Sequence, residues 1–478
     1  MTYEEALAAL DRRELFGIRL GLENVRAIFD RLGRPELAYP TLHVAGTNGK
    51  GTTAAALASL AQAHGLRTGL YTSPHLVDFR ERIRIDGVPI ERAGVVTGWE
   101  RIASAVEERG MTYFEATTIL ALDYFARARV DLAVIEVGLG GRLDATNVIH
   151  PEVAVVTGVA RDHERWLGES LSAIAREKAG IFKPDVPALV GDPGPPEVRA
   201  VWTTAAAAVG ASLAFLPDEV TWSVRSVEPG RTRFDYGSPA LRLDELELPL
   251  TGSVFARAAA LAVHTWERLA DARGRVAPAL DEARVRSALA GLTLGGRGEW
   301  REVGGIPHLF DVAHNPAGCE RLTATVGDLG RGRTALVFGA LADKAWPRML
   351  DALAPATARA WVCGLETAGA RRLTREDARA EVDGRGMTWS ETVAQALAAA
   401  GDEVARGKAG FVLVAGSFHT VGEALVALGI AAPGEPYAPA TAAVGPLARA
   451  SSEAPAGPAV APGPSAPASR AELAETPP

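Results

Sequence analysis

The 478-residue chain has two cysteines, four methionines and only 6% aromatic residues, so neither a disulfide frame nor a cysteine-rich zinc site can hold it together. Cys319 and Cys363 stand far apart and beside no His/Cys cluster, and read as buried bystanders. No apolar run approaches the roughly 20 residues needed to cross a bilayer. The first residues, Met1-Thr-Tyr-Glu-Glu5, lack the basic-then-apolar order of a secretory leader, so the sequence predicts a cytoplasmic protein without a membrane partner. Basic blocks are missing too: with 50 Lys+Arg against 58 Asp+Glu the net charge is −8, and nothing tracks a nucleic-acid backbone. Past residue 431 large apolar residues become sparse while Pro, Ala, Gly and Ser dominate, which predicts a disordered tail over 431–478.

What is present is organised around Thr41-Leu-His-Val-Ala-Gly-Thr-Asn-Gly-Lys-Gly-Thr-Thr53. A short apolar run breaks into a glycine-rich turn holding one lysine, and the Ala54-Ala-Ala-Leu-Ala-Ser-Leu-Ala61 stretch that follows is strongly helix-forming. Strand, loop and helix in that order make a nucleotide site. Gly46, Gly49 and Gly51 let the backbone turn and, with Thr47 and Asn48, present N–H groups to an anion. Lys50 offers a point charge to the β- and γ-phosphates, Thr52 a hydroxyl to Mg²⁺, and the helix its N-terminal dipole. The spacing departs from G-x-x-x-x-G-K-[ST], because Gly51 stands between the lysine and the hydroxyl.

Further strand ends carry polar residues, and ligands collect at the carboxyl ends of parallel strands. Thr68-Gly-Leu-Tyr71 reads as a strand running into Thr72-Ser-Pro-His75, either a plain turn or a functional loop. The buried-strand run Asp131-Leu-Ala-Val-Ile-Glu-Val137 places a carboxylate, Glu136, at its carboxyl end. Such a group must meet a cation, either Mg²⁺ or an arginine such as Arg142. The strand from Val153 to Gly158 leads to Asp162-His163, where a metal or phosphate role and an ordinary surface histidine both stand open. On a predicted helix over 171–183, Lys178 lies beside Ile174, Ala175 and Ile181, where a desolvated neutral amine becomes reactive. Residues 184–250, rich in proline, alanine and short strands, read as a small β elaboration of the first domain, centred on about 215–250, and 253–290 return to helix. Glycine density over 291–298 marks the domain boundary, dividing the chain into 1–295 and 296–430. In the second part, strands near 308–312, 334–338, 359–363 and 411–415 alternate with helices, the order of a mostly parallel sheet.

Six segments occur in one order over about residues 14–425: His43-Val-Ala-Gly-Thr-Asn-Gly-Lys-Gly-Thr52, Tyr71-Thr-Ser-Pro-His-Leu76, Glu136-Val-Gly-Leu-Gly-Gly-Arg-Leu-Asp-Ala-Thr-Asn147, Glu177-Lys-Ala-Gly180, Asp311-Val-Ala-His-Asn-Pro316 and Gly416-Ser417. The set resembles the folylpolyglutamate synthase and dihydrofolate synthase family of Mur-ligase-like amide ligases. The resemblance implies an α/β fold, with a P-loop Mur-ligase-like central domain that binds ATP and a smaller Rossmann-like C-terminal domain. It implies an ATP-driven amide ligase: a dihydropteroate or folate carboxylate takes the γ-phosphoryl group, and the amine of L-glutamate displaces phosphate from the acyl phosphate. Lys50, Lys178, Arg297 and His314 would be the catalytic set, and Arg297 and Asp311 would join the 46–52 loop on ATP. Thr52 and Glu136 would hold one Mg²⁺ and His163 a second, with Lys178, as its carbamate, a further metal ligand. Ser73, Pro74, His75 and Arg82 would border the pterin-bearing substrate, while Ser417 with His314 would place the glutamate. The chain is expected to act as a monomer.

Three places depart from the family pattern. Arg80 stands for the usual asparagine before Glu81-Arg82, and Ala345 follows Asp343-Lys344 where an acidic residue is common. In Thr251-Gly-Ser-Val-Phe-Ala-Arg-Ala-Ala259, Val254, Phe255 and Ala258 replace the His, Gln and Asn of the adenine-reading pattern, which leaves Phe255 or Arg257 to stack on the purine. Two rivals remain, a related ligase acting on another carboxylate and a nucleotide-binding homologue without catalysis. Retention of Lys50, Thr52, Glu136, His163, Lys178 and His314 together argues against the second.

Overall fold

The computed structural model describes residues 1–17, 19–272 and 277–439. Its first sheet has eight strands: β1 (Thr41–Ala45), β2 (Thr68–Tyr71), β3 (Ile83–Ile85), β4 (Val88–Pro89), β5 (Leu132–Glu136), β6 (Val153–Val156), β7 (Ala188–Val190) and β8 (Leu213–Phe215). They lie in the order β4-β3-β2-β5-β1-β6-β7-β8, parallel from β2 to β8, with β3 and β4 antiparallel at one edge. β1 sits between β5 and β6, and its register sets Val44 opposite Glu136. The phosphate loop and Glu136 therefore emerge side by side, which sequence spacing alone could not show. Every residue of β1 and β5 is buried, as a parallel strand covered on both faces requires.

Helices cover both faces. Lys50–Ala63 packs against Val254–Ala272 and Glu282–Ala290 on one side, and Tyr113–Ala128 with Arg92–Glu108 covers the other. Thr112 and Glu115 form a reciprocal cap at the start of Tyr113–Ala128. Only the second half of 184–250 is a β elaboration: β7 and β8 belong to the main sheet and a helix, Pro196–Val209, joins them. The separate β layer is a three-stranded antiparallel sheet of β9 (Thr221–Glu228), β10 (Arg231–Gly237) and β11 (Arg242–Leu248).

Beyond the glycine-dense 291–298 crossing the chain builds a third sheet, with β12 (Glu299–Val303), β13 (Ile306–Phe310), β14 (Thr334–Phe338), β15 (Thr357–Cys363), β16 (Thr388–Ser390) and β17 (Val412–Ala415). The order is β12-β13-β17-β14-β15-β16, parallel except for β12. Cys319 and Cys363 are both free and buried in this unit. No helix among the described residues is long and apolar enough to cross a membrane.

The expected disorder from residue 431 is corrected for its first part. Tyr437 is buried, its N–H donates to Glu81 at 3.0 Å and its hydroxyl to Glu299, while Glu435 pairs with Arg80 and Arg92. One buried aromatic and one anion suffice to anchor a segment whose average composition predicts no core. Residues 440–478 lie outside the described part of the chain.

Candidate active site

The carboxyl ends of β1, β2, β5 and β6 face those of β13, β14 and β17 across a cavity of about 730 Å³. Its wall includes Gly46, Thr47, Asn48, Gly49, Lys50, Gly51, Ser73, Pro74, His75, Arg82, Glu136, His163 and Lys178 from the first part of the chain, and Arg297, His314 and Ser417 from the second. Two of the residues singled out in the sequence do not line it. Thr52 is buried within the first turn of Lys50–Ala63. Asp311 uses its carboxylate on the Gly298 and Ala313 N–H groups, both at 2.9 Å, and so shapes the turn that carries Arg297.

Two glycines of the loop are fixed by contact. Gly46 has φ +147°, and a Cβ there would fall 1.8 Å from Thr157 Oγ1. The inserted Gly51 lies where the two walls meet, since a Cβ on it would come within 3.3 Å of Arg297 Nη2 and 3.5 Å of Glu136 Oε2. The extra glycine thus gives an arginine from the second domain access to the phosphate loop.

Lys50 Nζ donates to the Gly46 and Thr47 carbonyls at 3.1 and 3.3 Å, and Lys178 Nζ donates to the same Gly46 carbonyl at 2.8 Å. Burial, reinforced by the Lys50 charge, lowers the Lys178 amine to about 7. Near neutrality a large share of it is uncharged and nucleophilic. Burial raises the Glu136 carboxyl against the opposing charges of Lys50 and Arg297, and Oε2 accepts the Ser73 N–H at 3.1 Å. Arg142 is not its cation, for it pairs with Glu177 at 2.9 Å. The charges that face the buried glutamate are instead Lys50 and, from the second domain, Arg297.

Asp162 organises the opposite side. Its carboxylate accepts Lys344 Nζ at 2.7 Å and Asn315 Nδ2 at 3.1 Å, and His314 Nε2 stands at 3.5 Å, so three residues of the second domain converge on one residue of the first. Burial opposes its charge, yet His314, Lys344 and His163 together hold it well below the ordinary carboxylate range. Asn315 also exchanges hydrogen bonds with Asn48, at 2.9 and 3.2 Å. His163, at φ +53°, is lowered to about 4 by burial and by Lys344, and is neutral at physiological pH. Asp162, Lys344 and Asn315 were not singled out from the sequence. The available signal was Asp162 at a strand end beside His163, and the Asn-Pro pair, since Asn315 caps Pro316–Leu329.

The substrate-side loop is equally ordered. Arg82 Nε donates to His75 Nδ1 at 2.8 Å and its guanidinium lies 5.3 Å from the Tyr113 ring. That bond needs a neutral His75, and burial with the Arg82 charge pushes it well below its ordinary value. Ser417 caps Phe418–Ala427, and Arg297 lies 5.2 Å from the Phe418 ring. Of the two residues expected to stack on a purine, Phe255 is excluded: it is buried in the core, against Gly252 and Gly298. Arg257 is half-buried and paired with Asp192 at 2.8 Å.

A phosphate loop on one α/β unit, facing a second α/β unit across a cavity that both line with charged side chains, is the arrangement of an ATP-dependent ligase of the Mur type. Residues 44–188 match the Mur ligase middle domain, and residues 296–418 the Mur ligase glutamate ligase domain. Dihydrofolate synthase/folylpolyglutamate synthase of Escherichia coli K12 is 39% identical over 408 residues, covering 84% of this chain and 90% of that one. E. coli FolC solved in complex with DHPP and ADP superposes with a TM-score of 0.79 at 35% identity, covering 90% of this chain and 98% of that one. A bifunctional folylpolyglutamate synthase/dihydrofolate synthase with Mn, AMPPNP and L-glutamate bound gives 0.76 at 31% identity, over 90% and 98%. The chain belongs to the dihydrofolate synthase/folylpolyglutamate synthase family.

Proposed function

We propose that the protein joins L-glutamate to a pteroate or folate carboxylate at the expense of ATP, through an acyl phosphate, and that it acts on both dihydropteroate and folates. The observation that carries this is one cavity walled by the phosphate loop, by the Ser73–His75 loop with Arg82, and by Arg297, His314 and Ser417 of the second domain. Relatives solved with DHPP and ADP, and with AMPPNP and L-glutamate, support the same three ligands. In this reading residues 1–295 bind ATP and the pterin substrate and residues 296–430 complete the glutamate side. In the same reading the chain works as a monomer, in the cytoplasm where ATP is supplied.

Lys50, the loop amides and Arg297 neutralise charge that grows on the transferred phosphoryl group. The carboxylate attacks the γ-phosphorus, ADP leaves, and the glutamate amine then displaces phosphate. His314 and Ser417 place that amine, and closure of the two walls keeps water from the acyl phosphate. Among the described residues no three His, Cys, Asp or Glu side chains make a metal cage. Mg²⁺ needs none, because it takes one or two protein oxygens and completes its shell with water and phosphate. Glu136 fits: it lines the cavity, and among the described residues the Ser73 N–H is its one direct hydrogen-bond donor. Glu136 would hold one ion, and neutral His163 with Lys178 as a carbamate a second; when bound they would supply positive charge to the phosphates.

Phosphate release from purified protein with ATP, Mg²⁺ and glutamate, with dihydropteroate and tetrahydrofolate offered separately, tests the reading. Release should require glutamate together with either pterin. Release indifferent to both would mark an uncoupled ATPase, and no release with either pterin would point to another carboxylate or to a homologue without catalysis.

A further inference from the structure

Arg80, which replaces the family's asparagine, has a partner far along the chain. Its guanidinium donates to Glu435 at 2.9 Å and to the Gly434 carbonyl at 3.1 Å, while Nε holds Asp78 at 2.8 Å. Arg92 reaches the same two residues, at 2.8 and 3.2 Å. The pairs with Glu435 are partly exposed and contribute little alone. Their effect is to seat the next aromatic, Tyr437, which is 5% exposed.

Tyr437 joins two carboxylates with separate duties. Its N–H donates to Glu81 at 3.0 Å, and Glu81 also accepts the N–H groups of Leu76, Val77 and Asp78 at 2.8, 3.1 and 3.0 Å, which fixes the chain directly after Ser73-Pro74-His75. Its hydroxyl donates to Glu299, whose other oxygen accepts the Gly296 N–H at 2.8 Å, one residue before Arg297. The Tyr437 ring lies against Gly295, where a Cβ would meet it at 2.8 Å. A small cavity of about 50 Å³ separates the ring from Ser73, Glu136 and Arg297.

We propose that residues 434–437 are a strap that sets the substrate loop and the Arg297 turn relative to one another, with Tyr437 as a positioning residue of the ligase reaction. It touches no reacting atom. It acts because both walls of the site hang on carboxylates that it links, so a shift of the strap moves the pterin loop and the phosphoryl-binding arginine together. This deepens the proposed ligase function and depends on it for its kinetic part only.

Hydrogen–deuterium exchange on the full chain, on chains ending at Pro439 and at Pro433, and on Tyr437→Phe gives the structural readout. Ending at Pro433 should raise exchange in both 73–82 and 294–300, while ending at Pro439 should leave both as in the full chain. Tyr437→Phe keeps the N–H and the ring but loses the hydroxyl, so it should loosen 294–300 and leave 73–82 protected. In ligase assays Tyr437→Phe should lose about tenfold in kcat, the size of one charge-assisted hydrogen bond, with the KM for the pterin within about twofold. Ending at Pro433 should also raise the pterin KM. Unchanged exchange in both segments on ending at Pro433, or wild-type kcat in Tyr437→Phe, overturns the strap. If exchange responds as stated but the full chain ligates no pterin, the proposed reaction fails and the coupling of the two walls stands.

Discussion

Lys178 and Lys50 reach the same Gly46 carbonyl, and two ammonium groups cannot share it in a buried site without cost. The amine lowered to about 7 relieves that conflict, and a neutral amine can add CO₂ to become an anionic carbamate. Lys178→Ala is therefore expected to lose activity on the order of 10²-fold or more, as removal of a transition-state charge group does. A short carboxylate at high concentration should restore part of it, and Lys178→Arg should be as poor. Protein exchanged with ¹³C-bicarbonate should show a carbamate carbon resonance that disappears in Lys178→Arg. Normal turnover of either variant excludes the carbamate. Because the free amine must be neutral to react, activity in CO₂-limited buffer should fall as pH drops through about 7.

At the scale of elements, the three-stranded sheet is tied to the helix Val254–Ala272 by a buried polar cluster. His264 contacts Glu267 through Nδ1 and Glu219 through Nε2, both at 2.7 Å, and Tyr236 donates to Glu267 at 2.7 Å. Burial disfavours the His264 charge, but the hydrogen bonds to Glu267 and Glu219 outweigh it and raise its pKa. A raised histidine gives stability that is complete below its unfolded value of about 6.5 and is lost as pH rises through the folded value. The two glutamates are lowered, so their share is lost only on acidification through the carboxylate range. The melting advantage of the native protein over His264→Gln should hence be largest near pH 6 and shrink toward pH 9. An advantage that grows over that interval would show that the ring is neutral in the fold.

For the whole molecule, the decisive contacts cross between the two α/β units. Asp162 collects Lys344, Asn315 and His314, and its removal strands the half-buried Lys344 cation without its carboxylate. Asp162→Ala is expected to lower kcat/KM by about 30- to 150-fold, corresponding to about 2–3 kcal/mol. Small-angle scattering of the same variant should show a larger radius of gyration without nucleotide, because the contacts that draw the units together are gone. A variant as compact and as active as the native protein would mean that Asp162 does not govern closure.

Local order determined much of this. Strand, glycine turn, lysine, hydroxyl and helix over 41–61 identify a phosphate loop without any tertiary information, because an anion needs backbone N–H groups, a cation and a helix end within one short segment. The strands at 334–338 and their neighbours were legible for the same local reason, a short apolar run between turn residues. Only the folded chain decided which charges meet. Arg142 and Glu136 are six residues apart yet do not pair, whereas Asp162 and Lys344 are far apart in sequence and do. Phe255 could be assigned to a purine by its chemistry and is taken instead by the core. Composition averaged over 431–478 hid Tyr437, since a mean predicts whether a segment can build a core of its own, not whether one aromatic can enter a core already built by others. Residue type fixes what a group can do, and the register of β1 against β5 and β6 and the meeting of two sheets fix what it does.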